Sequence, residues 1–113
     1  MPLQRSEVYS TTGTKQSWNC DPSIAAFSVN LAVLLSAGGV AEYGLQYSYD
    51  TLDDPLLTDS DATWIDSNDL PAGTTDTGEA NFSTPIARVR LVITTLTAPA
   101  TLTMKMLQGM SVN

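Results

Sequence analysis

The feature that most constrains this chain is a two-residue alternation of apolar and polar side chains, repeated in several segments. Phe27, Val29, Leu31, Val33 and Leu35 fall on one face of an extended segment, with Ala26, Ser28, Asn30, Ala32 and Leu34 on the other. Ala41, Tyr43, Leu45, Tyr47 and Tyr49 then alternate with Glu42, Gly44, Gln46 and Ser48. Successive side chains of a strand point to opposite faces, so segments of this kind predict half-buried strands. The first segment also admits a helix: Asp21 can cap it, Pro22 suits its first position, Gly38 lies past its end, and Ile24, Phe27, Leu31, Leu34 and Leu35 fit helical spacing. The neighbouring turn and the strand texture elsewhere decide for strand. Ser36-Ala37-Gly38-Gly39 supplies the turn residues of a tight reversal, which predicts that the two segments form a hairpin.

Two further segments alternate near the end. Ala87, Val89, Leu91 and Ile93 oppose Arg88, Arg90, Val92 and Thr94, and Leu102, Met104 and Met106 oppose Thr101, Thr103 and Lys105. Thr97-Ala98-Pro99 turns the chain between them. Thr63-Trp64-Ile65 is an apolar island that predicts a short strand with Trp64 inward, and residues 80–84 predict another, ended by Pro85. Glu7–Ser10 and Ser17–Cys20 are weaker candidates. The fold class is all-β: an antiparallel β-sandwich or jelly roll of about seven or eight short strands. One domain spans residues 1–113, with an extended N-terminal arm at 1–6 and an acidic, loop-rich middle at 50–79. Phe27, Leu31, Tyr43, Leu45, Trp64, Phe82, Val89 and Leu91 are expected to be buried, with Arg88 and Arg90 turned the other way.

Charge is unevenly placed. Residues 50–79 hold nine acids and no base, whereas residues 80–113 hold Arg88, Arg90 and Lys105 and no acid; the net charge is −7. Like charges resist packing and keep the middle in water. An acidic chain with so few cations is a poor partner for nucleic acid. No apolar run reaches the ~20 residues of a membrane-spanning helix, and residues 1–7 lack the apolar core of a secretory signal. A single cysteine forms no internal disulfide, so folding in a reducing cytosol is expected.

Catalytic chemistry is scarce. The absence of histidine removes His-based acid/base pairs and triads, and with Cys20 as the one cysteine it removes the usual zinc sites. No Gly-rich phosphate loop is present. The carboxylates are too numerous in one solvated stretch to single out a catalytic pair. Calcium is the best chemical rival: Asp50, Asp53 and Asp54, or Asp59 and Asp61 with Asp66, carry suitable oxygens. An EF-hand register from Asp59, however, puts Trp64 where Gly belongs and Leu70 where the closing Glu belongs. Cys20, between Asn19 and Asp21, has no neighbour that would lower its pKa and reads as an inert thiol. No cofactor, metal or catalytic residue is assigned.

An ordered series of motifs resembles a known pattern. Tyr47-Ser48-Tyr49-Asp50-Thr51-Leu52-Asp53-Asp54-Pro55 is followed by Thr63-Trp64-Ile65-Asp66. Asn81-Phe82-Ser83-Thr84-Pro85-Ile86-Ala87-Arg88-Val89-Arg90-Leu91 comes next, and Leu102-Thr103-Met104-Lys105-Met106-Leu107-Gln108-Gly109 closes the series. Over about residues 24–109 the chain resembles the small capsid decoration, or cement, proteins of short-tailed bacteriophages. The resemblance implies a jelly-roll-like, non-enzymatic virion protein, made in the host cytoplasm. It would sit on the outer head surface, bind the major capsid protein, clasp neighbouring capsomers and form a homo-oligomer, dimer or trimer. Leu3, Arg5, Arg88 and Arg90 are the expected interface residues; for the two later arginines, internal pairing with the acidic middle is the rival expectation. A tail or host-attachment β-domain, with glycan as ligand, is the alternative function.

Overall fold

The computed structural model describes residues 3–20, 27–50 and 58–109, which contain strands and no helix. Nine strands run through these residues: β1 (Leu3–Tyr9), β2 (Gly13–Thr14), β3 (Trp18–Asn19), β4 (Val29–Leu35), β5 (Val40–Ser48), β6 (Ile65–Asp66), β7 (Gly78–Phe82), β8 (Arg88–Thr97) and β9 (Leu102–Gln108). They form two antiparallel sheets. The four-stranded sheet has the order β1-β9-β4-β7; in the five-stranded sheet β8 pairs β5, β5 pairs β6, and β2 and β3 both line the other side of β8. Taking β2 and β3 as one interrupted strand, the orders are first-last-third-sixth and second-seventh-fourth-fifth. That is the strand order of a jelly roll.

The core lies between the sheets and follows the alternation. Val29, Leu31 and Val33 of β4 and Leu102, Met104 and Met106 of β9 meet Tyr43 and Leu45 of β5 and Val89, Leu91 and Ile93 of β8; none is more than 4% exposed. Each fully buried aliphatic side chain stabilises the fold by about 1.5–3 kcal/mol relative to exposure. The helical alternative for the first segment fails over Val29–Leu35; its Asp21, Pro22 and Ile24 lie outside the described residues.

Two one-residue register slips decide which side chains face inward. In β8, Ile93 opposes Tyr43 but Thr95 opposes Glu42, so Thr94 is the extra residue. A slip of one residue flips the facing side chain, and the half-buried apolar position beyond it is therefore Leu96. Along the other side of β8, Gly13 opposes Ile93 while Trp18 opposes Val89, again a one-residue offset. This offset turns Trp18 inward, where it is fully buried.

Four expectations are corrected. The reversal at Ser36–Gly39 exists, with Gly38 at φ 73° and the Gly39 amide donating to the Ser36 carbonyl at 2.9 Å. It does not close a hairpin: β4 pairs β9 and β7, whereas β5 pairs β8 and β6. The turn carries the chain from one sheet to the other and meets the β8–β9 connection, where the Ser36 amide donates to the Thr101 carbonyl and the Thr101 amide to Ser36 Oγ, both at 3.0 Å. The expected arm at 1–6 is, from Leu3 onward, an edge strand paired along its whole length with β9. Trp64 is only half-buried and precedes β6; the tryptophan of the core is Trp18. Phe82, also expected inside, is half-buried at the end of β7 with its ring edge against Tyr47.

Candidate functional site

The outer face of the five-stranded sheet carries Arg88 and Arg90, opposite to Val89 and Leu91 as the alternation requires, but it is not a solvated face. The described part of the acidic middle lies across it. Asp59 accepts hydrogen bonds from the Ser17 amide at 3.0 Å and the Ser17 hydroxyl at 2.6 Å, and pairs with Arg88 Nη1 at 3.2 Å. Trp64 stacks its ring under the Arg90 guanidinium at 4.1 Å and donates its indole N–H to the Asp59 carbonyl at 2.7 Å. Arg90 Nε donates to Gln46 Oε1 at 2.8 Å, and Gln46 Nε2 donates to Asp66 at 3.0 Å. Burial alone would raise the Asp59 carboxyl, but the Ser17 hydrogen bonds and the Arg88 charge outweigh it and hold its pKa below the ordinary carboxylate value. The cluster is a clasp that fastens residues 58–66 to the sandwich.

The same segment continues along the free side of β5. The Leu45 amide donates to the Leu70 carbonyl, and Tyr43 and Thr74 exchange backbone hydrogen bonds. The chain can pass this close because position 44 is glycine: a Cβ there would lie 2.8 Å from Ala72 Cα.

The outer face of the four-stranded sheet is open by contrast. It forms a shallow trough of about 650 Å³ across all four strands. Cross-strand neighbours build it in rows: Gln4, Leu107, Asn30 and Asn81 in one, Ser6, Lys105, Ala32 and Glu79 in the next. Val8, Thr103 and Leu34 extend it, and Val8, Leu34 and Leu107 are exposed. Amides, small residues and isolated aliphatics alternate there with Arg5, Lys105 and Glu79.

The four expected interface residues do not converge. Arg5 stands on the edge strand β1, its guanidinium 4.8 Å from the centre of the Trp18 ring. Leu3 begins β1, and its side chain lies outside the described part. Arg88 and Arg90 are on the other sheet; Arg88 is buried and faces Asp59, so it offers no charge to a partner. The expected internal pairing with the acidic middle is the reading that fits. The positions missed as surface candidates are Asn30, Ala32, Asn81, Lys105 and Leu107. Their signal was the absence of acid from the outward positions of the 27–35 and 101–107 alternations.

The acids proposed for calcium are engaged separately. Asp59 faces Ser17 and Arg88, Asp66 faces Gln46, Asp61 accepts from Thr58, and Asp50 accepts from the Thr63 amide. Asp53 and Asp54 lie outside the described residues. Among the described residues no three His, Cys, Asp or Glu side chains gather as a metal site. Cys20 is buried beside Met106, with its thiol 4.0 Å from the thioether sulfur, and burial pushes its pKa up to about 12. No helix of the described residues is long and apolar enough to cross a membrane. Compared with family models, curated proteins and solved structures, the chain finds no match.

Proposed function

We propose that this chain is a virion structural protein, a capsid decoration protein that binds the major capsid protein from outside and clasps neighbouring capsomers. The observation that carries the reading is the contrast between the two outer faces. Arg88, Trp64 and Asp59 are engaged within the chain, while a broad trough with exposed Leu107 and neighbouring amides stays open on a jelly-roll scaffold. A clasp needs a rigid scaffold and a complementary surface, and no reacting group. The motif series that resembles phage cement proteins supports the same role, and the acidic surplus suits a protein kept apart from packaged DNA.

The test is occupancy on particles. Leu107→Glu and Ala32→Arg place charge in the trough without touching the core, and each should lower the amount of chain that sediments with decoration-free heads at least tenfold, because desolvated charge in an interface is costly. Unchanged occupancy with both folded variants would contradict this use of the face.

A second reading, a host-attachment domain that binds glycan, is favoured by one feature. Tyr47, Tyr49 and Phe82 form an edge-to-face aromatic group, with Tyr49 56% exposed although the alternation places it with core residues. Loss of glycan binding by Tyr49→Ala, with head occupancy unaffected, would favour it.

A further inference from the structure

We infer that β1 is a self-pairing edge, through which two copies of this chain join antiparallel about a two-fold axis at Ser6. The inference does not depend on the role in the virion. Among the described strands, β1 is the longest at a sheet margin. It runs seven residues and is hydrogen-bonded on one side only, to β9. The opposite margin, β7, has five residues, and the margins of the other sheet are two-residue pieces. A long margin presents a row of backbone donors and acceptors to any strand that can match it.

The side chains select which strand matches. Antiparallel pairing of β1 with a second β1 must bring together residues of like parity, so that both turn their backbone groups across the new junction. Three central registers satisfy this. One puts Arg5 opposite Arg5, and another puts Glu7 opposite Glu7. The third, centred on Ser6, pairs the whole of Leu3–Tyr9 with itself and puts Arg5 of each copy opposite Glu7 of the other. Opposite charges directly across a ladder stabilise it and like charges destabilise it. Charges on an edge strand commonly block pairing; here their order permits only one of the three central registers, the one that also pairs the full strand, and a two-fold interface uses the same patch on both copies.

Both partners are placed for it. Arg5 and Glu7 are exposed and share the face of β1 that bears Tyr9, whose hydroxyl donates to Glu7 at 3.2 Å. Ser6, on the opposite face, lines the trough. Pairing at β1 would join the two four-stranded sheets into one of eight and bring the two troughs edge to edge.

Sedimentation of the full chain over the micromolar range tests the register. Wild type should form a dimer. Glu7→Arg should raise the dimer dissociation constant at least tenfold, and adding Arg5→Glu should restore wild-type association by exchanging the charges. Because Arg5 also covers Trp18, a second variant leaves that contact alone. Ser6→Cys meets itself across the axis, where antiparallel Cα atoms stand about 4.5–5.5 Å apart, within disulfide range. It should cross-link under mild oxidation, whereas Asn81→Cys on the far margin should not. A wild type that stays monomeric or forms a trimer would overturn the inference, as would a Ser6→Cys chain that cross-links no faster than Asn81→Cys. If Ser6→Cys cross-links but the charge exchange fails to restore association, the Arg5–Glu7 register is refuted.

Discussion

Removing Asp59 should cost more than removing Arg88, although the two form one ion pair. The Arg88 side chain is 2% exposed, while Asp59 is 33% exposed. Taking one partner from a buried pair typically costs about 3–5 kcal/mol, because the other charge stays desolvated. In Asp59→Ala the group left behind is a buried guanidinium that keeps its other contacts but loses this carboxylate, which places the cost below that range, at about 2 kcal/mol. The two hydrogen bonds from Ser17 are lost as well, at about 1 kcal/mol each where they are not replaced by water. In Arg88→Met the group left behind is a carboxylate that water can reach and that keeps both Ser17 contacts, and methionine fills the vacated space. The expected losses are about 3–4 kcal/mol for Asp59→Ala and about 1 kcal/mol for Arg88→Met. The double variant should resemble Arg88→Met more than the sum, since the pair is coupled. At roughly 4 °C of melting temperature per kcal/mol for a domain near this size, the single variants should differ by about 8–12 °C. Urea unfolding followed by tryptophan fluorescence measures the difference, with an unchanged m-value as the sign of a common unfolded state. Arg88→Met losing as much as Asp59→Ala, or both losing under ~1 kcal/mol, would refute the assignment of the burial penalty to the arginine.

Three further outcomes are expected. Trp18→Ala should destabilise by about 3–5 kcal/mol and Trp64→Ala by less than half of that, by urea unfolding, since only Trp18 is fully enclosed. Asp59 has a depressed folded-state pKa, so its stabilisation is fully present above the unfolded value near 3.9 and is lost as pH falls through the lower folded value; the gap in melting temperature between wild type and Asp59→Asn should therefore narrow as the pH drops below about 4. The Cys20 thiol, raised to about 12 and buried, should react with a disulfide reagent at pH 8 only at the rate of unfolding, which stopped-flow absorbance in native and urea-containing buffer distinguishes.

What could be read in advance follows the range of the forces involved. Phe27 to Leu35 and Leu102 to Met106 declare themselves because each lies against the opposite sheet on one side only, and that environment is written into every second residue. The turn at Ser36–Gly39 is equally local, and its chemistry specifies a reversal; it does not specify which strands receive the chain afterwards. That choice belongs to the whole jelly roll, so a predicted hairpin became a crossing between sheets. Trp18 carries no periodic signal, because its strand is two residues long and its inward direction comes from a one-residue slip against β8. Trp64, flanked by Thr63 and Ile65, imitates a strand and instead serves as the platform for Arg90. The alternation around Arg88 and Arg90 gives their face correctly; that Asp59 covers this face depends on contacts some thirty residues distant. The open trough left a weaker trace, in outward positions that lack acid in an acidic chain.

The central claim is that this jelly roll binds the outside of a phage head. A reconstruction of the intact particle that carries the chain tests it most directly. The account predicts repeated density of about 12.1 kDa per copy on the outer shell, across capsomer boundaries, with the four-stranded sheet toward the major capsid protein or toward a second copy at β1. Density confined to the tail, or a head surface bare of this chain in particles shown by mass spectrometry to contain it, would contradict the account.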